Sequence, residues 1–167
     1  MTHFKFEHDF DIEAKDFWDL FFAEDYNVDL YRELKMKARV VVEHTDEGNT
    51  IRRVVRYTPT DDIPQMFKAV VPDTSYTERD LYHRDRSSMD VVIEPAAGKS
   101  KFDMKAVYAV KPLGAGRCRR TFEGDVKVSV MILGGQIEKF MVERLKTSYD
   151  LAADVTRRWI HKRKAGA

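Results

Sequence analysis

The chain has 167 residues, of which 43% are hydrophobic and 34% charged, and its formal net charge is +1. A chain of this length is expected to fold as one domain with a sizeable core, and its balanced charge excludes a general electrostatic affinity for nucleic acid. The single cysteine, Cys118, excludes an internal disulfide and a zinc site built from several cysteines.

The first residues, 1–7, alternate apolar and polar side chains and do not resemble the apolar part of a targeting peptide. The chain also lacks the ~20 consecutive apolar residues that a membrane-crossing helix needs. We therefore expect a cytoplasmic protein.

The N-terminal part predicts a strand followed by two short helices. Apolar and aromatic side chains alternate with charged ones over 4–10, which is typical of a half-buried strand. Asp11 is a suitable helix N-cap, and residues 13–22 and 25–34 have helical spacing.

Six further strands are predicted at 36–44, 51–58, 75–83, 88–94, 102–111 and 118–130. In the last of them Gly124 stands where a strongly bent strand needs a kink. The apolar segment 61–72 has no alternation and predicts a loop with a short helix. Its side chains form either a lid over a tunnel mouth or part of the core; they are Met66, Phe67, Val70 and Val71.

A long C-terminal helix is predicted from Gln136 to about Lys164, directly after Gly134 and Gly135. One stripe of this helix consists of Ile137, Met141, Leu145, Ser148, Ala152, Val155 and Trp159. Six consecutive strands form an antiparallel meander whose apolar face needs a cover. We expect this helix to be the cover and to leave a gap that side chains or a ligand fill.

Three stretches resemble a bacterial subfamily of unknown function within the START-like (SRPBCC) superfamily. They are FEHDFDI at 6–12 leading to DFW at 16–18, PLGAGRCR at 112–119 and GGQIEKF at 134–140. The element order β-α-α-β(6)-α also resembles the helix-grip fold of that superfamily, which includes pollen-allergen-type proteins, polyketide cyclases/aromatases and lipid transfer domains. The resemblance implies one START-like domain over 1–167, with an α+β fold. In this fold a curved seven-stranded antiparallel sheet wraps around the C-terminal helix and encloses a tunnel for a hydrophobic ligand.

Two arginines, Arg53 and Arg120, lie among apolar neighbours on predicted strands, and a buried guanidinium needs a partner. Glu78 and Asp80, on the strand face shared with Tyr76 and Tyr82, could supply it. One interpretation is a polar pole that orients a ligand head group. The other is that the arginines form structural ion pairs or are turned into solvent by bulges.

No histidine or cysteine spacing predicts a metal site, and no cofactor is expected. Cys118 is interpreted as a core residue. The basic C-terminal end matches the helix dipole and allows transient contact with an anionic membrane, without stable insertion.

The leading hypothesis is a non-enzymatic domain that binds or transports a hydrophobic small molecule or lipid. The candidate ligand-binding residues are Phe6, His8, Phe10, Val40, Arg53, Val55, Tyr57, Met104, Tyr108, Arg120, Phe122, Val126, Met141, Leu145, Ser148 and Ala152. One alternative is a cyclase- or hydrolase-like enzyme acting on a polycyclic or polyketide-type substrate with His8, Arg120 or Tyr108. A second is a protein-interaction module with a filled cavity. The sequence indicates no oligomeric state.

Overall fold

The computed structural model describes residues 1–60 and 63–166. The helices are α1 (Ala14–Phe22), α2 (Glu24–Glu33) and α3 (Gly134–Ala165). The strands are β1 (Thr2–Phe10), β2 (Met36–Asp46), β3 (Thr50–Pro59), β4 (Tyr76–His83), β5 (Ser88–Pro95), β6 (Phe102–Pro112) and β7 (Cys118–Val128). Two short 3₁₀ turns occupy Gln65–Phe67 and Lys99–Lys101.

All seven strands form one antiparallel sheet in the order β1-β7-β6-β5-β4-β3-β2. The consecutive strands β2 to β7 are neighbours, as expected of a meander, and β1 returns to pair with β7, with Phe6 opposite Phe122. The α+β helix-grip architecture predicted from the sequence is therefore confirmed. Segment 61–72 contains the predicted short helix as the turn Gln65–Phe67, while Asp61 and Asp62 lie outside the described residues.

The long helix α3 has 32 residues and spans ~48 Å. Near its N-terminus Ile137 is 1% exposed, and the Glu138 carboxylate accepts hydrogen bonds from the Val128 backbone N–H and the Thr2 hydroxyl, both at 2.8 Å. Toward the C-terminus Ala153, Val155 and other side chains are buried again. Between these two contact regions, residues 141–151 include no fully buried side chain. The helix is thus packed most closely near its two ends, and in its middle it contacts the sheet through Tyr149, which stacks on Phe122.

Helix α1 covers one end of the concave face of the sheet with an aromatic cluster. Trp18 packs 4.3 Å from Tyr82 between ring centroids, and its indole N–H donates to the Ser87 hydroxyl at 2.8 Å. Phe17 lies 5.2 Å from Phe10. These aromatic rings fill this end of the concave face. Open space remains farther along it.

The orientation predicted for β2 is wrong for several residues, including the candidate ligand-binding residue Val40. Register irregularities lie between Met36 and Ala38 and between Val41 and Glu43. Each irregularity adds a residue and reverses which side chains face inward. As a result Arg39 lies opposite the inward-facing Tyr57, whereas Val40 lies opposite Arg56 and is 51% exposed.

The packing around Gly124 gives a test of the sheet geometry. A Cβ at Gly124 would lie 2.3 Å from the Lys105 carbonyl oxygen and 2.6 Å from the Ala106 Cβ. We expect Gly124→Ala to lower the free energy of unfolding by at least about 1–3 kcal/mol, because the strands must separate. The measurement is urea denaturation followed by circular dichroism.

Gly135→Ala is the matched control. No atom lies within 4 Å of a Cβ placed at Gly135 in α3, and alanine favours a helix over glycine by about 0.5–1 kcal/mol. This variant should be as stable as the wild type or more so. Equal stability of the two variants would contradict the close approach of β6 and β7 at Gly124.

Candidate functional site

A cavity of about 290 Å³ lies beneath the middle of α3. Its walls come from the concave face of the sheet, α2, segment 63–75 and the half-buried stretch of α3. Most of the lining is apolar or aromatic. The volume is just below the ~300–1,000 Å³ typical of small-molecule sites.

Seven of the candidate residues predicted from the sequence line this cavity. They are Met104, Tyr108, Arg120, Met141, Leu145, Ser148 and Ala152. The small side chains at Ser148 and Ala152 lie where α3 leaves room.

Six other candidates face inward but do not line the cavity. They are Phe6, Phe10, Val55, Tyr57, Phe122 and Val126, each at most 9% exposed. A second layer of rings covers several of them. Tyr149 stacks on Phe122 at 4.4 Å with an interplanar angle of 5°, and Tyr31 packs on Tyr57 at 4.9 Å. Strand alternation identified the inner face correctly, but it could not show which inner residues are covered by other side chains.

The remaining three candidates lie elsewhere. Arg53 and Val40 border a separate groove beside β2. His8 is not part of the cavity wall and contacts it through Arg120.

Much of the wall was missed in the sequence. Lining residues that the sequence did not single out include Tyr26, Leu30, Tyr31 and Leu34 from the α2 region, Ile93 from the sheet, and Phe140 and Tyr149 from α3. Four more were named in the sequence analysis but not as ligand-binding candidates, namely Phe67, Val71, Tyr76 and Glu78. The helical stripe of α2 was visible in the sequence, but only the tertiary structure places it over the cavity. Phe67 and Val71 are part of the wall, and Phe67 packs 5.5 Å from Phe140. Met66 is 53% exposed and does not line the cavity, so only part of this segment packs inside.

Arg53 forms a structural ion pair. It is 3% exposed, and its Nε and Nη2 lie 2.9 Å and 2.8 Å from Asp80 Oδ2. The rings of Phe21 and Phe22 lie 5.0 Å and 5.4 Å from the guanidinium. This arginine therefore supports the sheet, as in the second interpretation of the sequence.

Glu78 is the buried carboxyl group in the cavity wall. Its Oε1 lies 3.8 Å from Arg53 Nη2, farther away than Asp80. Burial, and next the neighbouring Asp80, raise the pKa of Glu78 to about 8, although Arg53 opposes the shift. Burial raises the pKa of Asp80 as well, but Asp80 has the shorter contacts with Arg53. We therefore assign the proton of this carboxyl pair to Glu78 at neutral pH.

Arg120 is the centre of a second polar group in the wall. Its Nη2 donates to His8 Nδ1 and to the Tyr149 carbonyl oxygen, both at 2.9 Å. Its Nη1 lies 3.5 Å from the Tyr108 hydroxyl. Because a guanidinium can only donate, His8 Nδ1 accepts, and the ring proton on Nε2 is donated to Asp150 Oδ1 at 2.9 Å.

The protonation states of this group follow from burial. Burial and the charge of Arg120 lower the pKa of His8 although Asp150 opposes them, so His8 is neutral. Burial raises the pKa of Tyr108 to about 12. Burial also raises the pKa of Tyr149 well above its ordinary value. Both phenols keep their protons at neutral pH.

Other chemistry finds little support among the described residues. Cys118 is fully buried and burial raises its pKa to about 11, which disfavours the thiolate. Within 1–60 and 63–166 no three His, Cys, Asp or Glu side chains are grouped to hold a metal ion. None of the helices described there is long and apolar enough to cross a membrane.

The raised pKa of Glu78 predicts an unusual dependence of stability on pH. The folded protein keeps the Glu78 proton up to about pH 8, whereas the unfolded chain releases it near 4.5. The unfolded state therefore binds fewer protons in this interval, and Glu78 lowers the free energy of unfolding as pH rises from about 5 to 8, by at most about 1.4 kcal/mol per pH unit.

Glu78→Gln should remove this contribution, so the difference between variant and wild type should change in favour of the variant as pH rises. Urea denaturation at several pH values measures it, and groups that titrate in both proteins cancel. Glu143→Gln, at an exposed position of α3, should follow the wild-type profile. Parallel profiles for Glu78→Gln and the wild type would contradict the assignment of the proton.

Solved structures with the same architecture cover nearly the whole chain. An aromatase/cyclase, Zhui, from a Streptomyces species has a TM-score of 0.67 at 11% identity, covering 97% of this chain and 94% of that one. Norcoclaurine synthase from Thalictrum flavum has a TM-score of 0.64 at 14% identity, covering 95% and 86%. A START superfamily protein from Mycobacterium smegmatis has a TM-score of 0.58 at 12% identity, covering 95% and 98%. At these identities the likeness shows a shared fold and leaves the ligand and the reaction open.

The sequence itself matches one family model. No functionally curated protein matches the chain in sequence. The model described as a protein of unknown function (DUF2505) matches residues 5–160. Because this match covers most of the chain, the chain belongs to the DUF2505 family, and it has the START-like helix-grip fold described above.

Proposed function

We propose that the protein binds a hydrophobic small molecule, lipid-like or polycyclic, in the cavity beneath α3. The observation that carries the proposal is the gap left between the middle of α3 and the sheet. About 290 Å³ remains there, with a mainly apolar wall. Burying a ligand in this space would remove apolar surface from water on both partners, which favours binding by about 25 cal/mol per Å².

The wall is already formed before any ligand enters. Tyr149, stacked on Phe122, and Tyr31, bonded through its hydroxyl to Tyr57 at 2.9 Å, are fixed by neighbours outside the cavity. A preformed wall reduces the entropy lost on binding. The same space argues against a protein-interaction module with a completely filled interior.

Enzymatic activity is a second candidate because His8, Arg120 and Tyr108 come together. Arg120 contacts both other side chains, as a cyclase- or hydrolase-like site would require. Hydrolysis of 4-nitrophenyl hexanoate that falls at least tenfold in His8→Gln and Tyr108→Phe would favour an enzyme. Equal rates in all three proteins would leave binding as the function.

The direct test of binding is native mass spectrometry of the purified protein. We expect extra hydrophobic mass that is lost under denaturing conditions, and saturable binding of the neutral fluorescent probe 1-aminoanthracene after delipidation. Protein from several expressions with neither bound mass nor probe binding would contradict the proposal.

Phenylalanine substitutions test whether the ligand binds in this cavity. Ser148→Phe and Ala152→Phe should each reduce probe affinity at least tenfold, because the new ring occupies space beneath α3. Ser148 is half-buried, so its replacement should cost little stability, whereas the buried Ala152 risks about 1–3 kcal/mol from overpacking.

Thr147→Phe is the matched control, since Thr147 is an exposed neighbour on the same helix. It should bind the probe like the wild type. Full binding by both Ser148→Phe and Ala152→Phe, with their folds intact, would show that the ligand binds elsewhere.

A further inference from the structure

Two buried arginines face the interior, and only one of them has a carboxylate partner. Arg53 is 3% exposed and lies 2.8 Å from Asp80. Arg120 is 2% exposed and lines the cavity. Among residues 1–60 and 63–166, no carboxylate oxygen lies within 4.0 Å of Arg120. Each arginine has one guanidinium nitrogen without a well-aligned hydrogen bond, Arg120 Nε and Arg53 Nη2, so the absent carboxylate is what distinguishes Arg120.

The other charged groups near Arg120 do not replace a counter-ion. Asp150 reaches it only through neutral His8 and also binds Lys146 at 2.6 Å. Arg157 lies over the same Phe10 ring as Arg120, at 5.5 Å and 5.2 Å, and adds positive charge nearby. The other carboxyl and guanidinium groups in the wall are those of Glu78, Asp73 and Arg144. Asp73 and Arg144 are exposed, so Glu78 is the buried one, and its proton makes it neutral at pH 7.

The polar atoms beside Arg120 are hydrogen-bond donors in excess. The Tyr108 hydroxyl is contacted by Arg120, and its own proton has no acceptor among the described residues. The centroid of the Tyr149 ring lies 5.3 Å from Arg120 Cζ, and its hydroxyl likewise has no acceptor in that part of the chain. A buried cation and two spare O–H donors fit a group that carries negative charge and only accepts.

We infer that the ligand of this cavity is a hydrophobic carboxylic acid, bound as the carboxylate by Arg120 with the hydroxyls of Tyr108 and Tyr149. This rests on the proposed function and adds the chemical class of the ligand. The apolar body lies along the wall beneath α3. The carboxylate supplies the charge that a buried guanidinium lacks, and Arg53 cannot act in this way because Asp80 already pairs with it.

The test compares acids with their neutral amides by isothermal titration calorimetry at pH 7. The probes are 2-naphthoic acid against 2-naphthamide and decanoic acid against decanamide, which match in shape and differ in charge. At least one acid should bind the wild type tenfold or more tightly than its amide. Arg120→Gln should reduce that ratio to within about threefold, and Arg120→Lys should retain a preference for the acid.

Arg119→Gln is the matched control. Arg119 is the next residue on β7, points to the opposite face and pairs with Asp9 at 2.7 Å, so its replacement should leave the acid-to-amide ratio unchanged. If Arg120→Gln does not fold, Tyr108→Phe and Tyr149→Phe test the role of this polar group instead. Each removes only a hydroxyl and should lower the ratio at least threefold.

The outcomes separate the two proposals. Amides that bind the wild type as tightly as the acids would overturn the acid assignment and leave the hydrophobic cavity standing. An acid preference that survives in folded Arg120→Gln, or in both tyrosine variants, would overturn the role of this polar group. If neither acids nor amides bind, and 1-aminoanthracene does not bind either, both proposals fall.

Discussion

The attachment of α3 at its two ends governs the rest of the structure. Glu138 fixes the first turns by accepting hydrogen bonds from Val128 and Thr2. Farther along, the Thr156 hydroxyl bonds to the Tyr26 hydroxyl at 2.8 Å inside the core. A helix is stiff over this distance, so its middle cannot sink toward a concave sheet without losing one of these contacts. The cavity is the space that remains between this helix and the concave face of the sheet.

The placement of charge gives this space its chemical character. Arg53 and Asp80 neutralise one another inside the sheet, and Glu78, which shares that site, faces the cavity as a neutral acid. Arg120 donates hydrogen bonds to a neutral imidazole, a carbonyl and a phenol, and its Nε has no partner among the described residues. These partners satisfy donors but supply no negative charge. Apart from the exposed Asp73 and Arg144, the wall is mainly apolar, and its buried part is electropositive at Arg120. This is the pattern expected for an amphiphile with an acidic end.

Alternation of apolar and polar residues predicted which side chains of most strands face inward. On β3, β4, β6 and β7 the inward face was correct, including Arg53 and Arg120, because side chains in a regular strand alternate strictly. The method failed on β2, where irregularities at Met36–Ala38 and Val41–Glu43 reversed the orientation and turned Val40 outward. β2 is an edge strand, where such bulges are common, and no residue type in this segment marks their positions.

Patterns within the sequence were enough to predict the order of elements, the meander, the long covering helix and the position of its small residues, Ser148 and Ala152. These features depend on local periodicity, which is a property of residues close together in the chain. Only the tertiary structure decided that Tyr149 covers Phe122 and that Tyr31 covers Tyr57. The structure also shows that Asp80 pairs with Arg53, whereas Arg120 has no carboxylate partner among the described residues. Those outcomes depend on distances between side chains far apart in the chain, and periodicity within one element contains no information about them.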